Sequence, residues 1–131
     1  MKFIVDQLIL ALFNYLNSQI DAYKILQNKT IAHGVNFGAY AALTAALVYL
    51  SHDTFWASFT FCLSAFFNRN LVFDSFLNKK RGLSIYYVST AEVPSSFLDR
   101  IEIRIFGRNG KVIFFFYAIG WGVTIILNFL I

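Results

Sequence analysis

Long stretches without a charged residue alternate along this chain with short polar segments. The clearest stretch runs from Val112 to Ile131; as a helix it measures about 30 Å, the thickness of a bilayer's hydrocarbon core. A second charge-free run spans Thr30 to His52, with its apolar part at Val35 to Leu50, and a third spans Thr54 to Asn68 after the turn Ser51-His52-Asp53-Thr54. Together they predict a transmembrane hairpin over residues 34–51 and 54–77. The third run alone, about 22 Å as a helix, is short for a crossing. Its helix is therefore expected to continue through Asn68-Arg69-Asn70 towards Leu77, with Arg69 reaching for the headgroups. Asp53 is placed to cap the helix that follows it.

The N-terminal residues read differently. Asp6, Asn14, Asn17, Asp21, Lys24 and Asn28 recur at helical spacing on a narrow stripe, and Phe3, Ile4, Val5, Leu8, Ile9, Leu12, Phe13, Leu16, Ile20 and Leu26 cover the remainder. This predicts an amphipathic helix over residues 1–30, lying in the cytoplasmic interface. A signal peptide fits less well, because Asp6 interrupts the apolar run and no small-x-small cleavage site follows. A fourth crossing at Phe3 to Leu16 would be too short unless extended. Between the hairpin and the last span, residues 78–111 form a basic loop. Within it Ser96-Phe97-Leu98-Asp99 has the form of a capping box, with Pro94 ahead and Gly107 behind, so a short amphipathic helix is expected over 97–106.

Composition moves this pattern from a greasy bundle to a membrane protein. Of the 131 residues, 58% are hydrophobic and only 14% charged, too apolar for a small soluble domain, and the 19% aromatic content suits a protein with interfacial belts. The expected fold is all-α and integral to the membrane, with three transmembrane helices, an N-terminal interfacial helix and a short cytoplasmic helix. Eight of the eleven Lys and Arg residues fall between positions 68 and 111. Lys/Arg excess marks the cytoplasmic side, which puts that loop and the stretch around Lys24 and Lys29 inside and the C-terminus outside. The membrane would be a bacterial inner membrane or an internal phage membrane. Cys62 is the one cysteine, so neither an intramolecular disulfide nor a thiolate zinc site can form.

Several constellations are candidates for function. Gly34, Gly38, Ala42 and Ala46 recur every four residues, a smooth ridge for helix packing within the subunit or between copies. Ala118 with Gly122, and Gly120 with Thr124, offer similar surfaces. Arg100, Arg104 and Arg108 follow one another at spacings of four. With Arg69, Lys79, Lys80, Arg81 and Lys111 they are the expected contacts to anionic lipid headgroups; nucleic acid is the weaker reading of the same arginines with Tyr86 and Tyr87. The polar cluster Asn68-Arg69-Asn70-Asp74 is an interfacial anchor or a headgroup site, with Asp74 in register to bond Asn70. His33 and His52 would stand about 28 Å apart on a helix. No catalytic set, metal site or cofactor is expected.

The stretch Ala65-Phe66-Phe67-Asn68-Arg69-Asn70-Leu71-Val72-Phe73 resembles the Asn-Arg-x-x-Val-Phe signature of GtrA-like membrane proteins. That resemblance implies translocation of polyprenyl-phosphate-linked sugars, with Asn68, Arg69, Val72 and Phe73 as matching positions and Arg69 meeting a lipid phosphate. A second block, Phe73-Asp74 through Leu77-Asn78, Arg81-Gly82-Leu83 and Tyr87 to Asp99-Arg100-Ile101-Glu102, resembles small phage- and prophage-encoded integral membrane proteins, a likeness that implies no activity. The expected function is therefore a non-enzymatic structural or assembly role in a membrane, through self-association or other membrane proteins. A GtrA-like translocase and a holin or small channel, with the Asp6 to Asn28 stripe facing water, are the alternatives. The predicted orientation has a direct check. In a Cys62→Ala background, Asp53→Cys and Lys80→Cys should label with a membrane-impermeant thiol reagent from opposite sides, and labelling from one side would refute the hairpin.

Overall fold

The computed structural model describes residues 2–31, 33–90 and 96–131, apart from the side chain of His33. Every regular element in them is helical: α1 (Lys2–Leu26), α2 (His33–Ser51), α3 (Phe55–Asn68), a π-helical turn (Arg69–Phe73), α4 (Asp74–Lys80), α5 (Phe97–Phe106) and α6 (Gly110–Leu130). The third rod runs through the π turn without a break, so the helix continues past Asn68 as expected. It ends at Arg81, just before Gly82 at φ +75°.

Local chemistry sets the helix ends. Thr54, not Asp53, caps α3: its backbone is extended (φ −118°, ψ 153°) and its hydroxyl accepts from the Ala57 N–H at 3.2 Å. Asp53 lies one residue too early for that bond. Ser96 caps α5 through the Asp99 N–H at 3.5 Å, and Gly107 at φ +67° ends the helix. Pro94 lies outside the described residues. Asn109 caps α6 through the Val112 N–H at 3.3 Å.

Four rods alternate in direction. Lys2 against the Leu50 carbonyl, Phe13 stacked on Tyr40 and Asp21 bonded to Asn36 make α1 and α2 antiparallel. Phe3 on Phe61, Gln7 on Asn68 and Tyr15 on Phe76 make α1 parallel to the α3–α4 rod. The most extensive pairing is α3 with α6, again antiparallel. There the Phe67 ring fills the notch left by Gly120, where a Cβ would approach it to 2.6 Å, so Gly120 serves the subunit's own packing. Gly122 meets nothing within 4 Å. At the other end of α6, Gly110 lets the Tyr86 carbonyl lie directly on the helix start.

Consequently α1, expected over residues 1–30 as an interfacial helix, packs as a rod alongside the others. Its polar stripe is turned inward. Asn14 and Ser18 are fully buried and Asp21 is 1% exposed, whereas Leu8, Leu12 and Ile20 are 64%, 58% and 55% exposed. In water that polarity would be upside down. Two helical segments, Gly34–Ser51 and Gly110–Leu130, are long and apolar enough to cross a membrane, and only 11% and 17% of them is buried inside the bundle. A soluble protein's core helix is covered in the opposite proportion.

Candidate functional site

Three polar rows meet inside the bundle. On α1 the row is Gln7, Asn14, Ser18 and Asp21; on α3 it is Thr60, Ser64 and Asn68, four residues apart; on α6 it is Thr124 with Asn128. Asn68 is the node. Its amide nitrogen donates to both the Gln7 carbonyl and Gln7 Oε1 at 3.1 Å, and its Oδ1 accepts from Asn14 Nδ2 at 3.1 Å. The Trp121 indole N–H donates to the same Gln7 Oε1 at 2.8 Å, which brings in α6. Near the far end of α6, Asn128 Nδ2 donates to Thr60 Oγ1 at 2.9 Å and to the Ala57 carbonyl at 3.3 Å.

Arg69, the first residue of the π turn, extends this network. Its Nη1 donates to Asn14 Oδ1 at 3.3 Å, and its guanidinium lies 3.7 Å from the Phe73 ring centre. Among the described residues no carboxylate comes within ion-pair distance of it. Through the π turn and beyond it the row continues as Asn70, Asp74 and Asn78. Asn70 does not bond Asp74 as its register suggested. Its amide donates instead to the Phe66 carbonyl of the preceding turn at 2.8 Å, and Asn78 donates to the Tyr87 carbonyl at 3.3 Å.

Helix α2 is held by few bonds: Lys2 Nζ to the Leu50 carbonyl at 2.7 Å, Tyr40 OH to the Ala65 carbonyl at 2.6 Å, Thr44 within the helix, and Asn36 Nδ2 to both oxygens of Asp21 at 3.1 and 3.0 Å. Gly34, Gly38, Ala42 and Ala46 all face outward, and a Cβ at either glycine would meet nothing within 4 Å. The ridge is therefore not spent on packing within the subunit.

The two ends of the bundle differ in charge. At one end, His52 Nε2 lies 3.9 Å from Asp6 Oδ2, the imidazole packed against Phe3 and Phe61. Burial pushes the His52 pKa down, with Asp6 opposing. The other end holds nine of the eleven Lys and Arg residues. Lys79, Lys80, Arg100, Arg104, Arg108 and Lys111 are exposed there, and Arg81 is half-buried. Arg108 lies past the end of α5 and donates to the Ser89 carbonyl, so only Arg100 and Arg104 form a ridge on the helix itself. The opposite face of α5 is acidic. Glu102, 7% exposed, accepts from the Tyr117 hydroxyl of α6, and burial pushes its pKa up while that bond pulls it down.

Gln7, which accepts from Asn68, and Trp121, which donates to Gln7, were not singled out by sequence reasoning, nor was the Glu102–Tyr117 pair. The Thr60-Ser64-Asn68 spacing was the available signal, since a second polar row on an apolar helix implies a partner row. Replacing the node should cost stability. Interhelical hydrogen bonds in membrane proteins average about 0.6 kcal/mol, so losing the three at Asn68 in Asn68→Leu should cost about 2 kcal/mol. Thermal unfolding in detergent should show that loss, and Asn70→Ala, whose amide bonds only its own helix, should lose less. Equal losses would remove Asn68 from its central place. The chain matches no protein-family profile, no curated protein and no solved structure.

Proposed function

We propose that this chain is a non-enzymatic integral membrane protein with a structural or assembly role, whose four rods cross the bilayer and whose α2 ridge joins one copy to another. The reading rests on one observation, the inverted polarity of the bundle: amides and carboxylates inside, leucine and isoleucine outside. Such an arrangement is stable where the surroundings are hydrocarbon, because a polar side chain there finds partners only within protein. The charge asymmetry supports one orientation, with the end bearing Lys24, Lys79, Arg100 and Lys111 in the cytoplasm and both termini outside. Since α1 is parallel to the α3–α4 rod and of similar length, it crosses too. Thiol labelling of Lys2→Cys and Asn28→Cys, again in Cys62→Ala, should mark opposite sides; labelling from the same side would return α1 to the interface.

Self-association follows from the ridge. Small residues let helix backbones approach closely, the main source of attraction between helices that lipid solvates equally well. The ridge is free on the outer face of α2, the rod with the fewest bonds to the rest. Arg69 favours a second reading, a GtrA-like translocase of lipid-linked sugars, because its half-buried guanidinium has one hydrogen bond and no carboxylate partner among the described residues. Two substitutions separate these. Gly38→Leu should disperse the oligomer seen by cross-linking in native membranes, and Arg69→Ala should leave it intact. Loss of lipid-linked sugar transport in Arg69→Ala would favour the translocase, and an unchanged oligomer in Gly38→Leu would refute the ridge interface.

A further inference from the structure

The basic end of the bundle encloses a cavity of about 150 Å³, open on one side, between α4, α5, α6 and the segment that follows α4. Its wall is not basic. Asp74, Asp99 and Glu102 line it together with Tyr87 and Tyr117, and Arg81 is the one cation among its lining residues. Asp74 is half-buried, among the described residues no hydrogen bond or ion pair reaches its carboxylate, and it lines this space. Arg69, the nearest other cation, is turned towards Asn14 and Phe73.

A buried carboxylate is stable only with a counter-charge or a proton. Three carboxylates around one space, Glu102 buried and Asp74 half-buried without a hydrogen-bond partner among the described residues, define a cation site. The described carboxylates do not converge as the ligands of a metal ion do. The tyrosine rings are the better guide, because carboxylates combined with aromatic faces are the recognition chemistry of organic ammonium groups. Size agrees: a cavity of roughly 150 Å³ holds a molecule the size of benzene, about six heavy atoms. Arg81 adds the last element. Its guanidinium stands 6.0 Å from the ring centre of Tyr87, an exposed residue of the rim, with Lys79 and Lys80 exposed on the same helix end. Negative charge within and positive charge at the mouth complement a zwitterion whose ammonium enters first and whose phosphate stays outside.

We propose that this cavity binds the ammonium group of an amine–phosphate zwitterion of the phosphoethanolamine type, through Asp74, Glu102 and the tyrosine faces, with Arg81 meeting the phosphate. The same chemistry is offered by a lipid headgroup and by a free soluble amine. The site is independent of the α2 ridge, and its occupancy by a free amine would not require the membrane reading.

The test uses the full chain purified in maltoside detergent, with thermal unfolding followed against phosphoethanolamine, ethanolamine and inorganic phosphate. Phosphoethanolamine should raise the unfolding temperature saturably, ethanolamine more weakly and inorganic phosphate not at all. Asp74→Asn should weaken binding about tenfold or more, as loss of a charged hydrogen-bond partner does. Arg81→Gln should reduce phosphoethanolamine to the affinity of ethanolamine. In nanodiscs, greater stability in phosphatidylethanolamine than in phosphatidylglycerol, lost in Asp74→Asn, assigns the lipid as the source; an effect of the soluble amine alone assigns a free ligand. If Asp74→Asn fails to fold, Tyr87→Ala on the rim serves in its place and should weaken amine binding without changing unfolding in its absence. The proposal is overturned if no amine acts saturably, if phosphate acts as well as phosphoethanolamine, or if the replacement that folds binds as the parent chain does.

Discussion

The bundle depends on the demand that buried amides be paired. In water a glutamine or asparagine loses little by facing outward, so polar residues do not dictate which helices meet. In hydrocarbon the outward choice is closed, and each polar side chain must find another across a helix interface. Asn68 answers that demand for three rods at once, because its amide makes three bonds to α1 and Gln7 passes the connection to Trp121 of α6. Each bond is individually modest. Their joint geometry is restrictive, since both donors and the acceptor of one amide are committed, and sliding α1 by one turn along α3 would leave all of them unmatched.

The same demand explains the unequal grip on the rods. Helices α1, α3 and α6 carry polar rows and are locked together, and α6 adds the ring-in-notch contact of Phe67 on Gly120. Helix α2 carries almost none. It is tied at Asn36, Tyr40 and the Leu50 carbonyl and presents an outer face of small and apolar residues. Dispersion between smooth surfaces is the attraction left to such a face, and it favours whichever partner approaches most closely.

Helix positions were legible in the sequence because charge-free runs and caps are local signals. Residues 34–51, 97–106 and the continuation past Asn68 emerged within a few positions of the observed helices. Asp53 was preferred to Thr54 as a cap because residue type was weighed without backbone geometry. The α1 stripe was also legible, but its direction was not. Periodicity identifies residues that share a face and says nothing of what lies opposite, and a lone polar stripe was therefore assigned to headgroups. Reading it beside Thr60, Ser64 and Asn68 turns it inward. The Glu102–Tyr117 pair and the cavity beside it bring together segments joined by irregular chain, whose mutual placement no periodicity encodes.

That last point changes the meaning of the basic block. Orientation in a membrane requires positive charge at one end and nothing more specific, and exposed Lys79, Lys80, Arg100 and Arg104 satisfy it. It does not require carboxylates behind them. Asp99 and Glu102 reduce the net positive charge of the loop, and Glu102 incurs the cost of burial besides. A helix whose outer face is arginine and whose inner face is glutamate, docked by that glutamate on a tyrosine, is built to separate charge across its own width. A requirement for positive charge at one end accounts for the outer face alone. On the inner face the Tyr117 hydroxyl holds Glu102, and the cavity beside it leaves room for a positive partner.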